Sequence, residues 1–348
     1  MSGLSDQLMV VTILAYLVAM IGYAAELSFG ARGMVARTAT RVSAAAPGRE
    51  LVSVGLAAGG ADDPGGATVN PAGAASDPGG AASSGVPVVV EGDGGGRAAL
   101  IGRWAVAVTV VGWCAHLATI VTRGLAAHRV PWGNMYEFVL VVCFVGATAW
   151  MVLVARRPMV RPLGLFVTLA IIVLLGLDGM RLYTSAGPLM PALNSYWLKI
   201  HVTAASVASG ILLIGFVAAV MTLIRIGYDG GRRSFPYTLG ARMPDATGLE
   251  RLTFRVHAFA FPIWTFAIMC GAIWAREAWT QYWSWDPKET WSFIAWVVYA
   301  GYLHARATPS VKRTVATWIA VVGWVTMMIN LFAINLVVSG LHSYAGVK

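Results

Sequence analysis

The feature that most constrains this chain is a series of apolar stretches, each close to the length needed to cross a bilayer, recurring from end to end. A hydrocarbon core of roughly 30 Å takes roughly 20 apolar residues in helical form. By that measure spans are expected over 8–29, 101–122, 136–155, 162–178, 202–226, 257–275, 291–306 and 315–339, the fourth and seventh being short. In lipid every backbone polar group needs a partner within the protein, and a helix supplies those partners within one segment. The expected fold is therefore all-α: a polytopic membrane protein with about eight transmembrane helices. Composition agrees, because only 12% of the 348 residues are charged, against about 25% in soluble domains. The first stretch lacks a basic leader and is long for a signal sequence, so it reads as a retained anchor.

A net charge of +9 would point to nucleic acid only if the basic residues gathered on one face. They lie instead in short clusters between apolar runs. Of the 25 Lys and Arg, 18 fall in 30–103, 156–161, 225–255 and 306–313, and 7 fall on the opposite side. Basic loops stay inside, so the first set is expected to be cytoplasmic, with both termini outside. Residues 43–97 are dominated by Gly, Ala, Ser, Pro and Val, too few large side chains to offset the entropy of ordering. The expected organisation is an N-terminal transmembrane helix over 1–29, a cytoplasmic Gly/Ala-rich flexible linker over 30–98, and a membrane domain over 99–348. Cys114, Cys143 and Cys270 lie within apolar runs and form no Cys-x-x-Cys pair, which speaks against a disulfide framework or a zinc site. No Cys-x-x-Cys-His occurs, so the chain is not itself a c-type cytochrome.

This topology puts several unusual residues on the outer face. Six of the 18 residues from Trp274 to Trp291 are Trp or Tyr. An aromatic belt accounts for one or two at each helix end. A denser cluster, interleaved with Asp286, Lys288 and Glu289, reads as a platform for a large, flat ligand with polar edges. His201 sits at the outer mouth of the fifth span and His342 just past the outer end of the last. Singly, each reads as an interfacial polar residue. Together, on the side of the tryptophan-rich loop, they suit axial ligation of one porphyrin iron from both faces. His304 lies 13 residues after Trp291, roughly 20 Å down its helix. It is either a deep functional group or, with Arg306 close behind, a marker of the inner interface. His116 and His257 read as core histidines, and His128 lies in an outer loop. Glu137, in the first turn of the third span, suits the helix dipole but needs a partner.

The run Trp279-Thr-Gln-Tyr-Trp283-Ser-Trp285-Asp286-Pro-Lys-Glu-Thr-Trp291, followed by Tyr299-Ala-Gly-Tyr-Leu-His304, resembles the WWD signature of haem-handling proteins. Within that superfamily the chain is similar to the CcsA family (CcmF/CycK/CcsA) of system II cytochrome c biogenesis. Asn134-Met-Tyr-Glu137, Tyr196-Trp-Leu-Lys-Ile-His201-Val and Ser339-Gly-Leu-His342-Ser-Tyr-Ala add to the likeness, which covers roughly 100–348. The resemblance implies delivery of haem b across the membrane and its attachment to apocytochrome c, by thioether bonds at Cys-x-x-Cys-His. It further implies work beside a CcsB (ResB-like) partner as a component of a cytochrome c synthase complex in the plasma membrane, with the site outside. It implies His201 and His342 as outer ligands of haem iron, and His304 as an inner station. Trp279, Tyr282, Trp283, Trp285, Asp286 and Trp291 are implied as haem-contacting residues. Catalysis beyond positioning is assigned to no residue, and Lys288 and Arg276 both lie on the side suited to haem propionates. The chain departs from the family in its 43–97 segment and in Ala127-His128-Arg-Val-Pro131. The competing expectations are a haem transporter without ligation activity, an apocytochrome assembly factor that does not touch haem, and a quinone-binding redox subunit.

Overall fold

A computed structural model describes residues 2–44, 94–187, 193–338 and 340–342. Helices account for nearly all of it, and no strand occurs among the described residues. In chain order they are α1 (Ser2–Ala44), α2 (Gly94–Ala127), α3 (Met135–Arg156), α4 (Gly164–Leu177), α5 (Tyr196–Asp229), α6 (Ala246–Trp279), α7 (Pro287–Ala307), α8 (Arg313–Met328) and the single turn α9 (Ile334–Val337). The expected all-α membrane architecture is the one that forms. Seven helical stretches are long and apolar enough to cross a membrane. The remaining expected span is α7, whose 21 residues reach about 31 Å. Trp291, Trp296, Tyr299, Tyr302 and His304 hold its hydropathy below that of the other seven. The anchor and the second span run further than their apolar stretches, to Ala44 and from Gly94. Residues 45–93, the bulk of the expected linker, lie outside the described residues.

Local sequence explains where the helices start. Asn134 caps α3, its side chain accepting from the Glu137 N–H at 2.9 Å. Ser195 caps α5 and Asp245 caps α6 in the same way. Asp286 and Glu289 form a reciprocal capping box at α7, with Pro287 at its first position, where proline loses no intrahelical bond. Two turns of π-helix, Asp178–Leu182 after α4 and Ile329–Ala333 after α8, widen the backbone in a manner common near functional sites.

The central element is α5, which packs against α3, α4, α6 and α8. At Gly210 a Cβ would stand 2.7 Å from the Val142 carbonyl oxygen, so only glycine permits this approach of α5 to α3. Its partner α6 runs beside it, carrying the C-terminal half of the site alongside the N-terminal half. At the opposite end of the bundle Glu250 pairs with Arg306 at 2.7 Å and with Arg313, tying α6 to α7 and α8. Arg161 pairs there with Glu26 at 2.5 Å. Glu137, fully buried, finds its partners in Arg123 at 3.0 Å and Arg129 at 2.7 Å, and it also accepts from the Gly133 N–H. Loss of one member of such a buried set leaves an uncompensated charge, at a cost of about 3–5 kcal/mol. His116 and His257 are core residues, both fully buried. His116 lies 3.4 Å from the Tyr16 hydroxyl, and His257 donates from Nδ1 to the Thr253 carbonyl at 2.7 Å.

Candidate haem site

The α2–α3 loop, the start of α5, the end of α6, the α6–α7 loop and residues 340–342 beyond α9 meet at one end of the bundle. They line a cavity that opens to solvent. Its walls are mainly apolar and aromatic: Trp132, Phe138, Trp264, Trp274, Trp279, Tyr282 and Trp283 all line it, with Met135, Met327 and Met328. Among the residues expected from the sequence, His201, His342, Trp279, Tyr282 and Trp283 line this cavity. Trp285, Asp286 and Trp291 do not, and His304 stands far from it on the exposed outer side of α7. His128 is exposed in the α2–α3 loop with φ 52°, away from the cavity lining.

The two cavity histidines are held in the same chemical form by different partners. His201 Nδ1 lies 2.7 Å from the Ala267 carbonyl oxygen. A carbonyl only accepts, so Nδ1 carries the proton and the lone pair sits on Nε2. His342 Nδ1 lies 2.8 Å from the Asp286 carboxylate, which fixes the same tautomer. Burial lowers the His342 pKa, and this outweighs the opposing pull of Asp286, so the imidazole is neutral near pH 7. A neutral imidazole whose other nitrogen is tied to a carbonyl or carboxylate is the usual form of a metal-binding histidine. Both rings lie against Trp274. His201 stacks on it at 6.4 Å with 11° between planes, and His342 meets it edge-on at 6.0 Å. Trp279 closes over His342 at 5.0 Å.

Backbone shape makes room for these contacts. A Cβ on Gly271 would lie 2.8 Å from His201 Nδ1 and Cε1, so the turn of α6 facing His201 has to be glycine. Likewise Gly340 lies so close to Asp286 that a Cβ there would overlap the carboxylate. The loop between α6 and α7 holds two non-glycine residues in the left-handed region, Thr280 at φ 63° and Trp285 at φ 59°. Each costs on the order of 1–3 kcal/mol and persists only where surrounding contacts impose it. The bend at Trp285 sends its ring outward, 66% exposed, against Trp283 and Phe293.

Asp286 therefore serves the site indirectly. Burial raises its pKa, but the His342 side chain and the Leu341 and Lys288 N–H groups lower it further, and the balance stays below the usual carboxylate range. It caps α7, receives the Leu341 N–H at 2.6 Å and orients His342. Glu289 is engaged by the Ser284 N–H and hydroxyl. Lys288 lines the cavity, donates to Asn335 Oδ1 at 2.7 Å and approaches the Met135 sulfur at 3.3 Å. The roles of Gly271, Asn330 and Asn335 have no local sequence signal, since each lies within an apolar helical run.

Residues 132–342 match the family described as cytochrome C assembly protein, a range that runs from the α2–α3 loop to His342. A cytochrome c biogenesis protein CcsA from Gloeobacter violaceus is 30% identical over 279 residues, which are 65% of this chain and 81% of that relative. The CcsA of Porphyra purpurea is 29% identical over 284 residues, covering 70% and 88%. That of Guillardia theta is 39% identical over 172 residues, covering 46% of this chain and 57% of the relative's own length. With the matched range spanning well over half of its length, the chain belongs to the cytochrome c assembly family, among its CcsA members.

Proposed function

We propose that this chain receives haem b at the His201–His342 cavity and presents it for covalent attachment to apocytochrome c. Family membership supports a role in cytochrome c maturation. The observation that carries the finer reading is the pairing of two neutral histidines, from segments far apart in sequence, on one aromatic cavity with their tautomers fixed by Ala267 and Asp286. The aromatic lining and the donor set both suit a flat macrocycle with an iron that takes two axial nitrogens.

In this reading His201 and His342 hold the iron through Nε2, and the Trp279, Tyr282 and Trp283 side chains flank the macrocycle. Each thiol of a Cys-x-x-Cys-His segment then adds across one vinyl double bond. Sulfur bonds to the inner carbon, and the thiol hydrogen goes to the outer carbon, so no oxidant is consumed. Holding vinyl and thiol in attack geometry is the main contribution required of the protein. The substrate's histidine takes over one axial position as product leaves.

His304 is exposed on α7, 16 residues beyond Lys288, about 24 Å along the helix. It is placed to hold haem only with groups from outside this bundle, which supports a shared inner station with a CcsB/ResB-like partner. The cavity end is the outer face on the distribution of basic residues, in the plasma membrane, and 1–29, 30–98 and 99–348 are anchor, linker and haem-handling domain. The test is co-expression of the chain with its partner and a Cys-x-x-Cys-His substrate. His201→Ala and His342→Ala should each abolish most covalent product at normal protein levels, and undiminished product from both would overturn the ligand assignment.

A further inference from the structure

One ammonium in the cavity lining has no ion-pair partner among the described residues. Lys288 stands in the first turn of α7, where the helix dipole disfavours a cation. No carboxylate lies within ion-pairing distance of its ammonium among the described residues. The two nearest acids in sequence are committed elsewhere: Asp286 to His342 and the Leu341 N–H, and Glu289 to Ser284. The ammonium is instead held by neutral groups, the Asn335 amide oxygen and the Met135 sulfur. Asn335 is itself fixed by its amide nitrogen donating to the Leu331 carbonyl at 2.5 Å, a carbonyl of the π-helical turn Ile329–Ala333. Beside it, Asn330 donates to the Ser292 hydroxyl at 2.9 Å, which continues a polar strip next to Lys288 in the cavity lining. Neutral acceptors orient a cation without cancelling its charge, which leaves it available to an anion entering the cavity.

The other basic residue of the loop does not share this position. Arg276 is exposed and is spent on the Thr280 carbonyl, closing the last turn of α6, and it is absent from the cavity lining.

Resting on the haem reading above, we infer that the Lys288 ammonium receives a haem propionate and thereby directs the vinyl edge of the macrocycle toward the cavity mouth. Haem carries its two propionates on one side of the ring and its two vinyls on the other. Anchoring the carboxylate side at Lys288 leaves the vinyl side facing the open end, where Tyr282 is 59% exposed. That is the side from which a thiol-bearing segment arrives. Lys288 is thus a positioning residue that selects dicarboxylate porphyrins and sets which edge reacts.

The test is a binding cycle on the detergent-solubilised full chain, titrated with haem and with haem dimethyl ester, whose propionates carry no charge. Lys288→Met should weaken haem binding about ten- to hundredfold, the range of a hydrogen bond to a charged group in a site shielded from water. The same substitution should leave ester affinity within about twofold, since a neutral ligand has no ion pair to lose. Unchanged ester binding also shows that the cavity is still folded. Lys288→Arg should recover most of the haem affinity. Equal loss of both ligands in Lys288→Met, or no loss of either, overturns the assignment to Lys288 while leaving the haem site standing. A wild-type chain that binds neither ligand overturns the haem reading and this inference with it.

Discussion

Replacing Asp286 by Asn separates the two duties that the structure gives this carboxylate. Its Oδ2 takes the proton side of His342 at 2.8 Å, and its Oδ1 takes the Leu341 N–H at 2.6 Å. It also caps α7. Asparagine caps a helix about as well as aspartate, so the variant should melt within about 1 kcal/mol of the parent. What it loses is the charge and one acceptor. Hydrogen bonds to charged groups contribute about 1.5–3 kcal/mol against about 1 for neutral ones. Loss of an outer-shell partner to a metal-binding histidine costs about 10- to 100-fold in affinity. Haem binding to Asp286→Asn should therefore weaken by about that factor while the fold persists. A less basic imidazole stabilises ferric iron less, so the reduction potential should rise. Asp286→Ala should add about 1 kcal/mol of instability from the lost cap. Haem titration, a potentiometric titration and thermal melts in detergent read all three. If the Asn variant binds haem as the parent does, with the same potential, Asp286 is a helix cap and nothing more.

Three other outcomes follow from particular positions. Gly271→Leu should displace the His201 ring, because a Cβ there already lies 2.8 Å from it. The variant should lose bound haem while its helical circular dichroism stays intact. His304→Ala should deplete haem in the His201–His342 cavity although both ligands there remain, with partial recovery on adding imidazole, measured as haem per purified protein. Deleting residues 50–90 should leave cytochrome c assembly near normal, as judged by covalent haem staining of membranes.

The helices were legible because a bilayer demands a long uninterrupted apolar run, and most of the runs from 101 to 339 became helices at the expected places. Their ends were less so. The apolar pattern of α5 begins near 202, but Ser195 caps the helix six residues ahead of His201, so His201 stands within α5 rather than at its rim. His201, His342 and three of the loop aromatics were visible because a dense Trp/Tyr cluster and paired histidines are costly to explain otherwise. The job of Asp286 was not, since its contact with His342 spans 56 positions. Nothing local distinguishes a carboxylate that touches a ligand from one that orients a ligand's histidine. Gly271 was hidden for the same reason: inside an apolar helix, a glycine that admits a ring looks like any other glycine. Lys288 and Arg276 looked alike in sequence and are separated only by where their side chains end.

The most direct measurement is the absorption spectrum of the purified full chain loaded with haem, oxidised and then reduced, beside that of His201→Ala/His342→Ala. The parent should show a bis-imidazole b-type spectrum, and the double variant should lose that signal at equal protein level. A parent without such a spectrum, or a double variant that keeps it unchanged, contradicts the claim that these two histidines hold haem.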